Sequence, residues 1–256
     1  MRQLPILTLL LALLLGGCNA LPDASDAGLQ AIAPNIHVEP AMDGVTRARL
    51  IQTLAEAERA IGIMYGSVRS RPPVYACVTV NCYTHLGGTL GSTAEALDDR
   101  ILLSPTGLNW HFIAHEWAHV ELFTRMTPPA WKQLPQWFNE GLAVAISQEP
   151  EYSENAWQYL LTANMPHPSY PELRGLRSLQ QWTGAVGFYQ QQVQSRQFNG
   201  IGVSPVYTAA GHVVRNWLAA VGNQGVLMLI QRMNAGESFD AAYQAITPQT
   251  NTYPPI

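Results

Sequence analysis

Two histidines separated by three residues place the strongest constraint on this chain. They belong to His115-Glu116-Trp117-Ala118-His119, which has the pattern H-E-x-x-H and lies in a stretch that predicts a helix from Asn109 to Met126. Residues four apart lie on one face of a helix, with Cβ atoms about 5–6 Å apart. Two imidazoles at that spacing can bind one zinc ion, and Glu116 is placed to accept a proton from a water beside it. The pattern is typical of a zinc-dependent hydrolase.

Zinc in a hydrolytic site needs a third protein ligand, and Glu140 is the candidate, 21 residues after His119. The residues Thr127-Pro128-Pro129 end the first helix, because proline cannot continue a helix. Pro135 precedes a second helix, predicted from Trp137 to Gln148. Two helices joined by such a loop could return a carboxylate to the same ion.

The segment Trp137-Phe138-Asn139-Glu140-Gly141-Leu142-Ala143, after H-E-x-x-H, resembles the gluzincin metallopeptidases of the peptidase MA-like superfamily, most closely the aminopeptidase-N branch. The resemblance covers about residues 98–150 and, more loosely, residues 204–246. It implies an α+β fold, in which a small mixed or antiparallel sheet with an active-site helix precedes a mostly helical C-terminal subdomain. It also implies that Glu116 is the general base and that one zinc ion is bound by His115, His119 and Glu140.

The oxyanion that develops during peptide hydrolysis needs a hydrogen-bond donor besides the metal. Tyr207 opens an apolar helix and resembles the tyrosine that has this role in aminopeptidase-N-like enzymes, although the family's glycine falls one residue earlier than Gly211. His212 is the alternative donor, by resemblance to the thermolysin branch. A third interpretation makes Tyr207 a core residue with a bonded hydroxyl.

The partners of the metal-binding histidines are not evident, although such histidines usually donate their other N–H to a carboxylate or carbonyl. The thermolysin branch has an aspartate four residues after the ligand glutamate, where this chain has Val144. The aminopeptidase-N branch has an acidic residue seven after it, where this chain has Ser147. Glu149 and Glu121 are possible substitutes out of register. The segment that binds a free amino terminus in aminopeptidases is missing, so we do not predict an aminopeptidase.

The first 17 residues predict a signal peptide, because the apolar run Leu9–Leu15 is much shorter than the roughly 20 residues that span a bilayer. The sequence Leu15-Gly16-Gly17-Cys18 resembles the bacterial lipobox, which implies acylation of Cys18 and a membrane anchor. By the Gram-negative sorting rule, Asn19 implies the outer membrane, facing the periplasm. The alternative is an ordinary signal peptide with an incidental cysteine.

Residues 18–40 predict a lipidated tether, and residues 41–256 a metallopeptidase domain with an α/β part to residue 126 and a helical part from residue 127. Within it, Gly44–Tyr65 predicts a helix and Pro73–Val80 a strand. Arg100–Ser104 predicts a second strand, which the family resemblance makes a sheet edge that pairs with extended substrate.

Cys77 and Cys82 remain after Cys18 is assigned to lipid, and an oxidising periplasm would allow them to form a disulfide. A two-cysteine metal site is the alternative. The net charge of −4 gives no support to nucleic-acid binding. The expected partners are therefore a peptide or protein substrate and the membrane.

Two functions follow from these observations. The first is a zinc-dependent peptidase, tethered to the outer membrane, that hydrolyses peptide bonds with a metal-activated water. The second is a non-catalytic lipoprotein that retains the peptidase fold and acts as a binding or assembly factor.

Overall fold

The computed structural model describes residues 24, 27–97, 100–193, 196–198 and 201–248. The expected signal peptide and Cys18 lie outside these residues and stay predictions. In the part of the chain that is described, no helix is both long enough and apolar enough to cross a bilayer. The fold is α+β, as expected, with one small mixed sheet and a helical majority.

One mixed sheet of five short strands forms the first layer of the fold. Its strands along the chain are β1 (Gln30–Ala33), β2 (Ile36–Val38), β3 (Val74–Ala76), β4 (Ala94–Leu97) and β5 (Arg100–Leu103). Their order across the sheet is β1-β2-β3-β5-β4. The inner strands β2, β3 and β5 are parallel, and the edge strands β1 and β4 pair antiparallel with their neighbours.

The prediction of a tether through residue 40 is wrong for residues 30–38, which form β1 and β2. The chain turns between them at Asn35, whose φ of 61° is left-handed and is tolerated by asparagine. Strand β2 then pairs with β3, and Val38 is fully buried. These residues therefore belong to the folded domain.

The prediction that Arg100–Ser104 forms a sheet edge is also wrong. Strand β5 lies between β3 and β4, and all four of its residues are buried. The edge strand on this side is β4, and it packs against the helix that carries the H-E-x-x-H motif. A sheet edge does lie beside that helix, but it comes from residues 94–97.

The disulfide between Cys77 and Cys82 is present, with Cα atoms 5.7 Å apart. The strand before it is shorter than predicted, because β3 ends at Ala76 and a short helix, α2 (Val80–His85), begins three residues after Cys77. The hydroxyl of Thr79 caps α2 by accepting from the backbone N–H of Cys82. The bridge therefore joins the end of β3 to the first turn of α2.

Within the described residues, nine further α-helices and one 3-10 turn, Pro150–Tyr152, pack on the sheet and on one another. The first, α1, begins at Gly44 behind an Asp43 cap and ends at Tyr65 before the left-handed Gly66, as predicted. The others are α3 (Trp110–Arg125), α4 (Pro128–Trp131), α5 (Gln136–Ser147), α6 (Glu154–Thr162), α7 (Tyr170–Gly175), α8 (Leu179–Val193), α9 (Pro205–Asn234, interrupted at Gly222) and α10 (Phe239–Ile246). A two-stranded ribbon, β6 (Gln197–Phe198) and β7 (Ile201–Gly202), precedes α9.

Helices α5 and α9 approach each other closely at two glycines. A Cβ atom on Gly141 would lie 2.6 Å from the carbonyl oxygen of Ala210, and one on Gly211 would collide with Val144. Helices come this close only where a side chain is absent. The Gly141 that follows Glu140 thus has a structural reason: it lets α5 lie directly on α9.

We expect Gly141→Ala to lower the free energy of unfolding by about 1–3 kcal/mol, because the added methyl group meets backbone that cannot move alone. The matched control is Gly187→Ala on α8, where a Cβ atom meets nothing within 4 Å. That change should raise stability by up to about 1 kcal/mol, since alanine favours a helix more than glycine does. Urea unfolding of both variants measures the difference, and equal effects would contradict the close-contact interpretation.

Candidate metal centre

The three residues proposed as metal ligands converge at one point. His115 and His119 extend from one face of α3, with ring centroids 5.0 Å apart, and Glu140 reaches them from α5. The Oε2 atom of Glu140 lies 3.2 Å from Nε2 of His115 and 3.7 Å from Nε2 of His119. One donor atom from each residue lies within 4.8 Å of the other two.

The loop between α3 and α5 returns the chain so that Glu140 faces the two histidines, as the prolines in the loop predict. Helix α3 ends at Arg125, and Pro128 begins the short α4, where a missing N–H costs nothing. Pro135 then precedes the first residue of α5. Glu140 is only 7% exposed, and the second oxygen of its carboxylate accepts from the side-chain amide of Gln136 at 2.7 Å.

The carboxylate of Glu149, which lies outside the H-E-x-x-H motif, orients His115. Nδ1 of His115 lies 2.6 Å from Oε1 of Glu149, which also accepts from the hydroxyl of Ser147 at 2.9 Å. Glu149 is 3% exposed, so this contact is shielded from water. Burial alone would lower the pKa of His115, but the carboxylates of Glu149 and Glu140 outweigh it and raise this pKa well above its usual value.

Glu149 is out of register with both family patterns because it lies beyond the end of α5. Gln148 takes a left-handed conformation, with φ of 53°, and reverses the chain so that Glu149 lies beneath His115. The sequence shows an acidic residue here but not this turn. Val144, at one family position, is instead buried against α9, and Ser147, at the other, donates its hydroxyl to Glu149.

The second histidine has an amide as its outer partner. Nδ1 of His119 lies 3.0 Å from Oδ1 of Asn139, the residue before Glu140, and Asn139 is buried. Each histidine therefore has one nitrogen bound to an acceptor and the other directed at Glu140. Glu121, the other substitute considered, has a different role: its carboxylate accepts from Ser70 and Arg125.

Glu116 lies beside the three converging residues, next to the sheet edge. Its Oε2 accepts the backbone N–H of Ala96, on β4, at 2.6 Å. Burial raises the pKa of Glu116 above its usual value, and the two imidazoles only partly oppose this. The pKa of Glu140 moves the other way: burial would raise it, but His119 and His115 hold it below its usual value.

Tyr207 contributes a partly buried phenol next to His115, with ring centroids 6.2 Å apart. Its ring stacks on Tyr152 at 5.2 Å and meets the edge of Trp182 at 4.9 Å. Burial, followed by the charge of Glu140, raises the pKa of Tyr207 far above its usual value. The hydroxyl therefore stays protonated and can donate. Tyr152, whose pKa burial also raises, is a neighbour that no sequence pattern indicated.

His212, the alternative donor, is engaged elsewhere. Its Nδ1 lies 2.8 Å from Oε2 of Glu154 and its Nε2 2.9 Å from the amide of Asn216, while its ring stacks on Trp157. His111, one turn before His115, lies with Nδ1 2.6 Å from the carbonyl oxygen of Ser147. Both histidines therefore tie helices together rather than facing Glu140.

The donor set fits a zinc ion in chemistry as well as in position. Glu149 accepts from Nδ1 of His115, so Nε2 is the nitrogen left for a cation; without a cation, the raised pKa of His115 keeps a proton on Nε2, and Glu140 accepts it at 3.2 Å. Two acceptors that face each other are stabilised only by a proton or a cation between them. Two imidazole nitrogens and one carboxylate are a known ligand set of hydrolytic zinc.

No protein-family model matches this chain, and no curated protein or solved structure does so either. The gluzincin resemblance therefore rests on the motif residues alone. The geometry of His115, His119, Glu140 and Glu116 stands independently of that resemblance.

We expect Glu149→Gln to weaken zinc binding by about 10- to 100-fold, because the charge that orients His115 is lost. The matched control is Glu151→Gln, two residues further along the chain. It removes one negative charge as well, but among the described contacts the carboxylate bonded to His115 is that of Glu149. Competition with a chromogenic chelator measures both affinities. Equal weakening by the two variants would show that nearby charge, and not this hydrogen bond, matters.

Proposed function

We propose that this protein is a zinc-dependent peptidase of the gluzincin type. The single observation that carries the proposal is the convergence of His115, His119 and Glu140, with Glu116 beside them. These three residues would hold the ion, which when bound supplies Lewis acidity and brings the pKa of a coordinated water to about 7.

Glu116 moves the proton in this proposal. It accepts a proton from the attacking water and passes it to the amine that leaves. Its raised pKa supports the role, because a carboxylate holds a transferred proton more readily when its pKa is closer to neutrality. The lowered pKa of Glu140 supports the complementary role of a ligand that stays ionised.

Tyr207 stabilises the oxyanion in this proposal. Its hydroxyl is protonated and its ring is held between Tyr152 and Trp182, so the donor is oriented before the substrate arrives. His212 is the weaker candidate, because both of its ring nitrogens already have partners on α6 and α9.

The substrate is a peptide or an unfolded protein. Strand β4 is a sheet edge whose Ala96 N–H points at Glu116, and an extended peptide can bind such an edge through main-chain hydrogen bonds. Attachment to the outer membrane through Cys18 is part of the proposal, and the Cys77–Cys82 disulfide is compatible with an oxidising periplasm.

The non-catalytic alternative would gain support if the proposed metal-binding histidines had no carboxylate partner. Glu149 supplies that partner. A binding or assembly factor has no need for a complete set of ligands, base and orienting carboxylate, so the peptidase proposal is favoured.

The proposal is tested by metal analysis and by cleavage of an unfolded protein with the full chain in detergent. We expect about one zinc ion per chain, loss of cleavage with a chelator and recovery with added zinc. Glu116→Gln should retain the zinc and lose about 10²- to 10⁴-fold in turnover, because the proton acceptor is gone. Glu58→Gln, at an exposed glutamate paired with Arg71, is the control. Comparable turnover by Glu116→Gln would refute its role.

We expect Tyr207→Phe to lower kcat by about 10²- to 10³-fold with unchanged zinc content, since only the oxyanion donor is removed while the ring still stacks on Tyr152. His212→Gln is compared in parallel and should affect stability more than kcat, because it breaks the contact with Glu154. Steady-state kinetics and thermal unfolding separate the two effects. A larger kcat loss in the His212 variant would reverse the assignment.

A further inference from the structure

A second concavity opens directly beside the metal centre, on the side of His119. Its volume is about 190 Å³. We call it the aromatic pocket, and its lining residues are Ala96, Leu97, His119, Val120, Phe123 and Trp131. Since His119 belongs to both the pocket and the metal centre, any group in the pocket lies beside one of the three proposed metal ligands.

The pocket follows from helical spacing and from the short helix after α3. Phe123 is four residues after His119 and therefore lies on the same face of α3, one turn further from the ligands. Trp131, on α4, meets the ring of Phe123 edge to face at 5.2 Å. Strand β4 supplies the opposite wall through Ala96 and Leu97.

The exposure of Phe123 indicates that this surface is for binding. Phe123 is 52% exposed, whereas Trp117 and Leu122 on the same helix are buried in the core. Single exposed apolar residues are common and carry no meaning alone. Here the exposed ring lines a concavity that His119, one of the three proposed metal ligands, also lines, and apolar surface in that position marks a ligand site.

The size and charge of the pocket define what it holds. Pockets that enclose whole small molecules measure about 300–1,000 Å³, so a volume of about 190 Å³ suits a single side chain. Among the described residues that line it, His119 is the only one with an ionisable side chain. An acidic or basic side chain would lose its hydration there, and no described lining residue other than His119 carries a group that could pair with it.

We propose that the aromatic pocket binds one large apolar side chain of the substrate next to the bond that is cleaved, with Phe123 and Trp131 as specificity-determining residues. The inference rests on the proposed peptidase function and names its substrate class: peptides with phenylalanine, leucine or a similar residue at that position. Main-chain contacts with β4 are independent of sequence, so the selectivity comes from this pocket.

The first test uses the zinc-loaded full chain and blocked peptides that differ only at the residue next to the cleaved bond, as located by product mapping. We expect kcat/KM for phenylalanine or leucine to exceed that for alanine or aspartate by at least about tenfold. Phe123→Ala should reduce this selectivity ratio, and Phe123→Leu should restore most of it. The control is Phe188→Ala on α8, a similarly exposed phenylalanine that does not line the pocket, and it should leave the ratio unchanged.

The second test measures binding without turnover. N-blocked amino-acid hydroxamates with phenylalanine, leucine, alanine or aspartate side chains are titrated calorimetrically into the zinc-loaded chain. We expect the phenylalanine and leucine compounds to bind at least about tenfold more tightly than the other two, and Phe123→Ala to remove the difference. Equal affinities, or a preference that survives Phe123→Ala, would overturn the pocket assignment while zinc content and chelator-sensitive cleavage still support the peptidase. Absence of zinc or of zinc-dependent cleavage would overturn the proposed function itself.

Discussion

The contact between α5 and α9 determines where the reactive groups of this protein lie. At Gly141 and Gly211 there is no side chain that would hold the two backbones apart. Glu140 precedes the first glycine, and Tyr207 lies one turn before the second, so the same contact that packs the core directs a carboxylate and a phenol at His115 on α3. The site is thus built on rigid helices, which hold a chemical group more firmly than loops do.

The electrostatics of the site distinguish two carboxylates that are close together. Burial raises the pKa of both, but Glu140 lies directly against the two imidazoles, which bring its pKa below the usual value. Glu116 faces the same imidazoles less directly, lies against the backbone of Ala96, and keeps a raised pKa. One environment favours a permanent anion and the other a group that exchanges a proton, which is the difference that the proposed hydrolytic function needs.

Features that depend on local spacing were predictable from the sequence, whereas those that depend on contacts between distant segments of the chain were not. The bounds of α1, the helix around the H-E-x-x-H motif and the helix of Glu140 follow from apolar periodicity, caps and prolines. Strands β1 and β2 were missed because each has only three or four residues, and because the pair is held in the sheet through β2 by β3, which is distant in sequence. Glu149 was considered but not placed, since its position depends on one left-handed residue, Gln148. Tyr152 and the aromatic pocket depend on contacts between elements that no spacing rule describes.

The proposed ligands come from two separate helices, and this has a consequence for the folded state as a whole. An ion held by His115, His119 and Glu140 would act as a cross-link between α3 and α5, closing the loop that contains α4. A ligand that binds only the native chain raises its free energy of unfolding, and so stabilises it against heat and denaturant. The supply of zinc in the surrounding compartment would then determine how long the molecule survives there, as well as whether it is active.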